Sequence, residues 1–426
     1  MLEEESPGYT VPVSARVVRK LRTTVTSYFR KRQRDRKVGA LVRGRARWSP
    51  GVRTPLPLFA SLDYCARLAA DRASGRYRYA VSSGVPILYA SVYAALLSHL
   101  LGASAAVPER CKREWAEYIA GFQSIDGLYR DPAVANGIAE TEDWWGWRHL
   151  SAHVPGALVA LGSGTARPFS VLSPLYQRGA VTKWLNTLNW TLRRADYSSN
   201  AVMNVGVMLQ YDRDCHSVEG ADEALEELFA WLDEHQDPRT GLWGSDPFDT
   251  PQALSRGVQT AYHHWLVYFY ARRRIRFIER CIDSCLKTQN VLGGFGVAAN
   301  SSACEDIDSI DPLCRFYFMS EYRRADVVAA LARAIPWVLT NQNEDGGFVF
   351  KRCEAFVYGH PLMSSSADES AAFPTWFRTL SLAYIAQVLP DHPVFRDVHF
   401  QFLGCPGYQF WSGEVVQAST AATGGG

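Results

Sequence analysis

A chain of 426 residues with 47% hydrophobic and 21% charged side chains has the composition of an ordinary globular protein, built as two domains or one large one. Nine scattered cysteines without a CxxC pair indicate neither a disulfide framework nor a structural zinc site. No signal peptide opens the sequence and no apolar run reaches the roughly eighteen residues of a membrane span, so a reducing, cytoplasmic setting is expected.

Residues 1–12 are expected to be disordered. From Val13 to about Lys37 the pattern is helical, with Val13, Val17, Leu21 and Val25 at four-residue steps and basic side chains around them. Between Arg16 and Arg47 there are 13 Lys or Arg against one acid, Asp35, so a basic leader precedes an acidic remainder of net charge −10. Such a helix packs on its own acidic body or lies peripherally on an anionic membrane. No nucleic-acid-binding motif accompanies the charge, and no nucleic acid is expected as a partner.

Beyond Pro55 a repeat emerges. Tyr118-Ile119…Gln123…Gly127-Leu-Tyr129, Trp231-Leu232…Gln236…Gly241-Leu-Trp243, Gln289…Gly293-Gly-Phe295 and Trp337-Val338…Gln342…Gly346-Gly-Phe348 share one pattern. Gly75-Arg-Tyr77 and Gly179-Ala-Val181 are fainter copies. The six glycines stand 52, 52, 62, 52 and 53 residues apart, a step that accommodates two helices and two connections. Helical patterns precede the glycines (223–234, 275–288, 325–340) and follow them (91–101, 149–161, 200–211, 258–270, 306–319, 375–388). The second set is the more apolar all round, as helices enclosed by others are. Six hairpins, outer helix then inner, predict an all-α (α/α)6 toroid over 54–390, preceded by the basic extension 1–53. A C-terminal segment, 391–426, follows, its last residues disordered.

The Gln…Gly-x-aromatic repeat resembles the QW repeat of squalene and oxidosqualene cyclases and of the wider terpenoid-cyclase and protein-prenyltransferase superfamily. It covers roughly residues 60–390. The resemblance implies the toroid, a lipid-like isoprenoid substrate and an aspartate acid taken from a DxDD motif. Asp306-Ile307-Asp308-Ser309 is similar to that motif but ends in Ser309, and the zinc ligands of the prenyltransferases have no clear counterparts.

The residues read for themselves also point to this stretch. Glu305, Asp306, Asp308 and Asp311 fall within seven positions, with Ile307 and Ile310 threaded between them. If a helix starts near Asp306, then Glu305, Asp308 and Asp311 share one side, and their crowding keeps at least one protonated. The competing reading is a helix cap facing the dipole. Polar and aromatic residues recur at the other inner-helix starts: Trp144, Trp145, His149 and His153; Asn200 and Asn204; Gln259, Tyr262 and His263; Trp376 and Arg378. Measured from the preceding glycine, His149, Asn200 and His263 come at offsets of 22, 21 and 22, which predicts a common layer around one pocket.

The leading expectation is a class II cyclase-like enzyme. Asp308 donates the proton, Asp306 and Glu305 tune it, His263 and His149 act as base or hydrogen-bonding partners, and Arg378 meets an anionic group. No cofactor is expected, except Mg²⁺ held by Glu305, Asp308 and Asp311 if the substrate is a diphosphate. Two alternatives stand beside it. One is a carbohydrate-active toroid (glycoside hydrolase, lyase or epimerase type) pairing Asp308 with Glu369, Asp143 or Glu142, with Trp144, Trp145 and Trp376 stacking sugar. The other is a non-catalytic binding protein.

Overall fold

A computed structural model describes residues 31, 33–42, 58–71, 74–135 and 146–412. In chain order the helices are α1 (33–42), α2 (Ala60–Leu68), α3 (Leu88–Leu100), α4 (Glu109–Ala120), α5 (Trp147–Ala160), α6 (Ala180–Leu185) and α7 (Ala195–His216). They continue as α8 (Ala221–His235), α9 (Pro251–Ala271), α10 (Ile278–Lys287), α11 (Ala303–Met319), α12 (Arg324–Thr340) and α13 (Ala372–Val388). The strands among the described residues are short: β1 (Ala69–Asp71) pairs with β2 (Arg76–Tyr77), and β3 (Phe356–Val357) with β4 (Ser364–Ser365).

The odd-numbered helices α3 to α13 each pack against the next, and α13 packs back on α3, which closes the inner ring. The even-numbered helices α2 to α12 lie outside it. The fold is therefore the (α/α)6 toroid. Burial follows position: α13 is buried on nearly every face, whereas α8 buries Ala221, Ala224, Leu225, Leu228 and Leu232 in one stripe and turns its acids outward. Each large apolar side chain so buried contributes about 1.5–3 kcal/mol.

The repeat builds the turn from outer to inner helix. The amides of Gln123, Gln236, Gln289 and Gln342 donate to the carbonyls of Gly127, Gly241, Gly293 and Gly346 at 3.2, 2.8, 2.9 and 3.1 Å. The N–H of the aromatic that follows is received by an inner-helix side chain one turn in. Tyr77 donates to Ser91, Tyr129 to Ser151, Phe295 to Asp306 and Phe348 to Thr375, at 2.8–3.1 Å. The glycine's bare Cα faces the next hairpin. At Gly346 (φ +88°) a Cβ would stand 2.0 Å from the Ala60 carbonyl oxygen, so the last hairpin meets the first with no room for a side chain.

The third hairpin corrects the sequence reading. Gly179 lies at the start of its outer helix, not in the turn after it. With α6 only six residues long, Asn189 makes the turn: its side-chain oxygen accepts from the Thr191 N–H at 3.1 Å. Trp190 stands in the aromatic place, stacked on Trp231.

Two segments finish the hub. After α13, Gln401 donates to the carbonyl of Leu100 at the far end of α3 (2.9 Å), and the chain then crosses the far mouth of the ring. Gln409 there accepts from the Trp376 indole at 2.9 Å, and the Phe410 carbonyl accepts from Arg315 at 2.7 Å. At the other mouth the loop from Phe350 to Ala371 lies over the hub, and α1 is docked on it. Arg34 pairs with Glu354, Lys37 sits 3.6 Å from Asp368, and Val38 and Val42 are buried. The leader's described part thus packs on the acidic body. The stripe from Val13 to Phe29 lies outside the described residues. Among the described residues no helix is long and apolar enough to cross a membrane.

Candidate active site

Five inner helices begin around the near mouth of the ring, and their first turns enclose a pocket of about 230 Å³. His149 and His153 come from α5, Asp196 and Asn200 from α7, Arg256, Gln259, Thr260 and His263 from α9, Ser302, Cys304 and Asp308 from α11, and Phe373 and Phe377 from α13. Phe350, Phe356 and Tyr358 roof it, and Tyr408 of the crossing segment floors it. One wall is thus aromatic and the opposite wall is made of hydrogen-bonding groups. The roof is itself a stack: Phe356 lies on Phe350 and Tyr358 on Phe373, with ring centroids 3.7 and 4.2 Å apart.

Asp308 stands two residues past the clamp position, as do His153 after Ser151 and Phe377 after Thr375, and this register aims all three into the hub. The residue is 4% exposed, and no described group hydrogen-bonds its carboxyl. Burial pushes its pKa well above the ordinary carboxylate range, and the charges of Glu305, Asp306 and Asp311 push in the same direction. It is a neutral acid with a proton to give.

The histidines are held neutral. Burial takes His153 down to about 4 and His263 to about 3, and takes His149 well below its usual value, with the neighbouring imidazoles adding to each shift on His149 and His263. Nδ1 of His153 donates to the His149 carbonyl at 2.8 Å, which leaves Nε2 as an acceptor. His149 is wedged between the hydroxyls of Tyr89 and Tyr358, at 2.9 and 3.2 Å. His263 meets Ser199 at 2.9 Å. Two oxygens of the polar wall, Oδ1 of Asp196 and Oγ1 of Thr260, are buried without a hydrogen-bond partner.

The pocket therefore gathers Asp308, His149, His153, His263, Asn200 and Gln259 from the sequence-level candidates. Others are corrected. Asp306 occupies a position that other hairpins fill with Ser or Thr, and it is fully paired: Phe295 N–H and Ser301 at 2.8 Å, Trp337 and Arg378 at 2.7 Å. Arg378 is spent on Asp306 and on the Val349 and Phe350 carbonyls, so it holds the hub together and faces no ligand. Glu305 closes a capping box with Ser302. Asp311 pairs with Arg315 at 2.6 Å and accepts from Tyr262 at 3.0 Å, beside the segment that plugs the far mouth. Of the carboxylates expected to hold Mg²⁺, Glu305 and Asp311 are thus directed to partners of their own, away from Asp308, and among the described residues no group of three potential ligands could hold a metal. Trp376 lies behind Phe377 and Tyr408, and Asn204 is buried a turn below Asn200. Glu369 caps the loop at Ser366 and Ser82. Glu142, Asp143, Trp144 and Trp145 lie outside the described residues.

Sequence reasoning missed Asp196, Arg256 and Thr260. Asp196 sits at the start of α7, which runs one turn ahead of the apolar pattern. Arg256 and Thr260 share a helix face with His263, a spacing that was readable.

No family model and no curated protein matches the chain. Solved structures do. A protein from Actinoplanes is 12% identical with a TM-score of 0.42, over 78% of this chain and 98% of that one. The GH76A alpha-1,6-mannanase from Salegentibacter sp. HEL1_6 is 8% identical with a TM-score of 0.43, over 78% of this chain and 99% of that one. Both scores fall below 0.5. The terpenoid-cyclase and prenyltransferase resemblance is corrected here: no family model supports it. The physical reason is that the Gln…Gly-x-aromatic motif closes the turn of a ring hairpin, whatever the ring encloses. The lipid-like substrate falls with it. The cavity is smaller than the roughly 300–1,000 Å³ that houses drug-sized ligands, and an isoprenoid would leave Asp196 and Thr260 buried and unpaired.

Proposed function

We propose that the protein is a carbohydrate-active enzyme that uses Asp308 as general acid on a sugar held in the near mouth of the toroid. The observation that carries this reading is the neutral Asp308 carboxyl, unpaired and facing a cavity with one aromatic and one polar wall. A sugar ring is amphipathic in the matching sense: its C–H face stacks on Phe and Tyr while its hydroxyls satisfy Asn200, Gln259, Thr260 and the neutral imidazoles. Cleaving a glycosidic bond requires a proton on the leaving oxygen and a second group to activate water or attack the anomeric carbon. Asp308 supplies the first. Asp196, on α7 two places round the inner ring from α11, supplies the second, and His153 Nε2 accepts a proton or a substrate hydroxyl.

The test is turnover of a panel of oligosaccharides and aryl glycosides by the wild type and by Asp308→Asn. Cleavage that drops about 10²–10⁴-fold in the variant supports the assignment. A substrate cleaved equally by both removes Asp308 from the chemistry, and sugar bound without cleavage by the wild type makes the protein a binding module instead.

A further inference from the structure

Among the described residues the pocket has one cation in its lining, Arg256, and nothing in the reaction above uses it. Arg256 lies on α9 one turn before Thr260 and lines the cavity at its rim. Its side chain is exposed, and among the described residues it makes one hydrogen bond, from Nη1 to the Leu192 carbonyl at 2.9 Å. That bond props the guanidinium over the mouth and leaves its other N–H groups free for a planar two-oxygen acceptor. The surroundings favour an anion. Five helices start at this mouth, so their positive ends face it. The segment that supplies Leu192 runs on as a second shallow cavity of about 480 Å³ containing Arg193 and Arg194, with Arg194 stacked on Tyr197. Against these stands the carboxyl of Asp196 in the pocket wall, while one turn further along α9 the buried hydroxyl of Thr260 has no described partner.

We infer that the sugar taken by this site is anionic, with a carboxylate or sulfate substituent engaged by Arg256 at the rim and further acidic units continuing past Arg193 and Arg194. The inference rests on the carbohydrate reading and names its substrate class. Isothermal titration of the full chain at low salt decides it, with glucuronate, galacturonate and glucose 6-sulfate set against neutral glucose and galactose. Each acid that fits binds at least about tenfold more tightly than its neutral parent. The ratio falls to near one in Arg256→Gln, is partly kept in Arg256→Lys, and shrinks as salt is raised. A preference confined to carboxylates or to sulfates supports the inference and identifies the substituent. Neutral and acidic sugars bound equally, or a preference that survives Arg256→Gln, overturns it while the carbohydrate reading stands. No sugar bound at any concentration overturns both.

Discussion

Asp306 and Asp308 are two residues apart on one helix and face opposite fates. Asp306 is paired with Arg378 and has both oxygens engaged; Asp308, its pKa pushed well up by burial, lies in a cavity with no described partner. Removing one member of a buried ion pair strands the other, so Asp306→Ala is expected to cost about 3–5 kcal/mol in urea unfolding. Asp308→Asn is expected to do the opposite. Its folded-state pKa lies above that of the unfolded chain, so the folded state binds more protons and the wild type loses stability as pH rises from about 4 through the raised value. The asparagine variant escapes that loss. Thermal scans should show it more stable than wild type at alkaline pH, with the gap closing toward about pH 4, and turnover lost throughout. The histidines set a second slope of the other sign. With His153 at about 4 and His263 at about 3 when folded, the unfolded chain binds more protons below about pH 6.5. Stability is therefore expected to fall as pH drops through that window, and less steeply in His263→Asn. The four acids were visible in the sequence, and their roles were not. Whether a carboxylate finds Arg378, Arg315 or an empty cavity depends on helices up to 72 residues away.

At the scale of one element, the repeat was legible because it is local physics. A glutamine amide, a glycine with positive φ and an aromatic suffice to turn an outer helix into an inner one, and four copies announce it. The third hairpin was misread for the same reason: a six-residue helix and an Asn189 turn do the work without the glycine. Two glycines with similar φ separate turn geometry from packing. Gly179→Ala, where an added Cβ meets nothing, pays only the left-handed backbone cost of about 1–2 kcal/mol. Gly346→Ala pays that and also drives a methyl into the Ala60 carbonyl. Calorimetry should show Gly346→Ala losing clearly more than Gly179→Ala; equal losses would mean that the seam between last and first hairpin is slack.

The whole molecule adds what no single hairpin contains. The ring brings five helix starts to one mouth, the crossing segment closes the other with Tyr408 as floor, and α1 holds the loop whose Phe356 and Tyr358 form the roof. The ion pairs of α1 are solvent-facing and contribute about 0–1 kcal/mol each, whereas Val38 is fully buried. Val38→Asp is therefore expected to destabilise by about 1–3 kcal/mol and to weaken ligand binding through the loosened roof, while Arg34→Ala does neither to a comparable degree. Urea unfolding and a binding titration on the two variants check this. The ring itself was readable from the period of the repeat, and the roof and floor were not, since both come from irregular segments without periodicity. At the centre of the assembled molecule lies the proton on Asp308, and carbon-13 NMR of its labelled carboxyl observes it directly. The account predicts a titration well above the ordinary aspartate range that disappears from the spectrum in Asp308→Asn; a carboxyl that ionises near the ordinary value would contradict it.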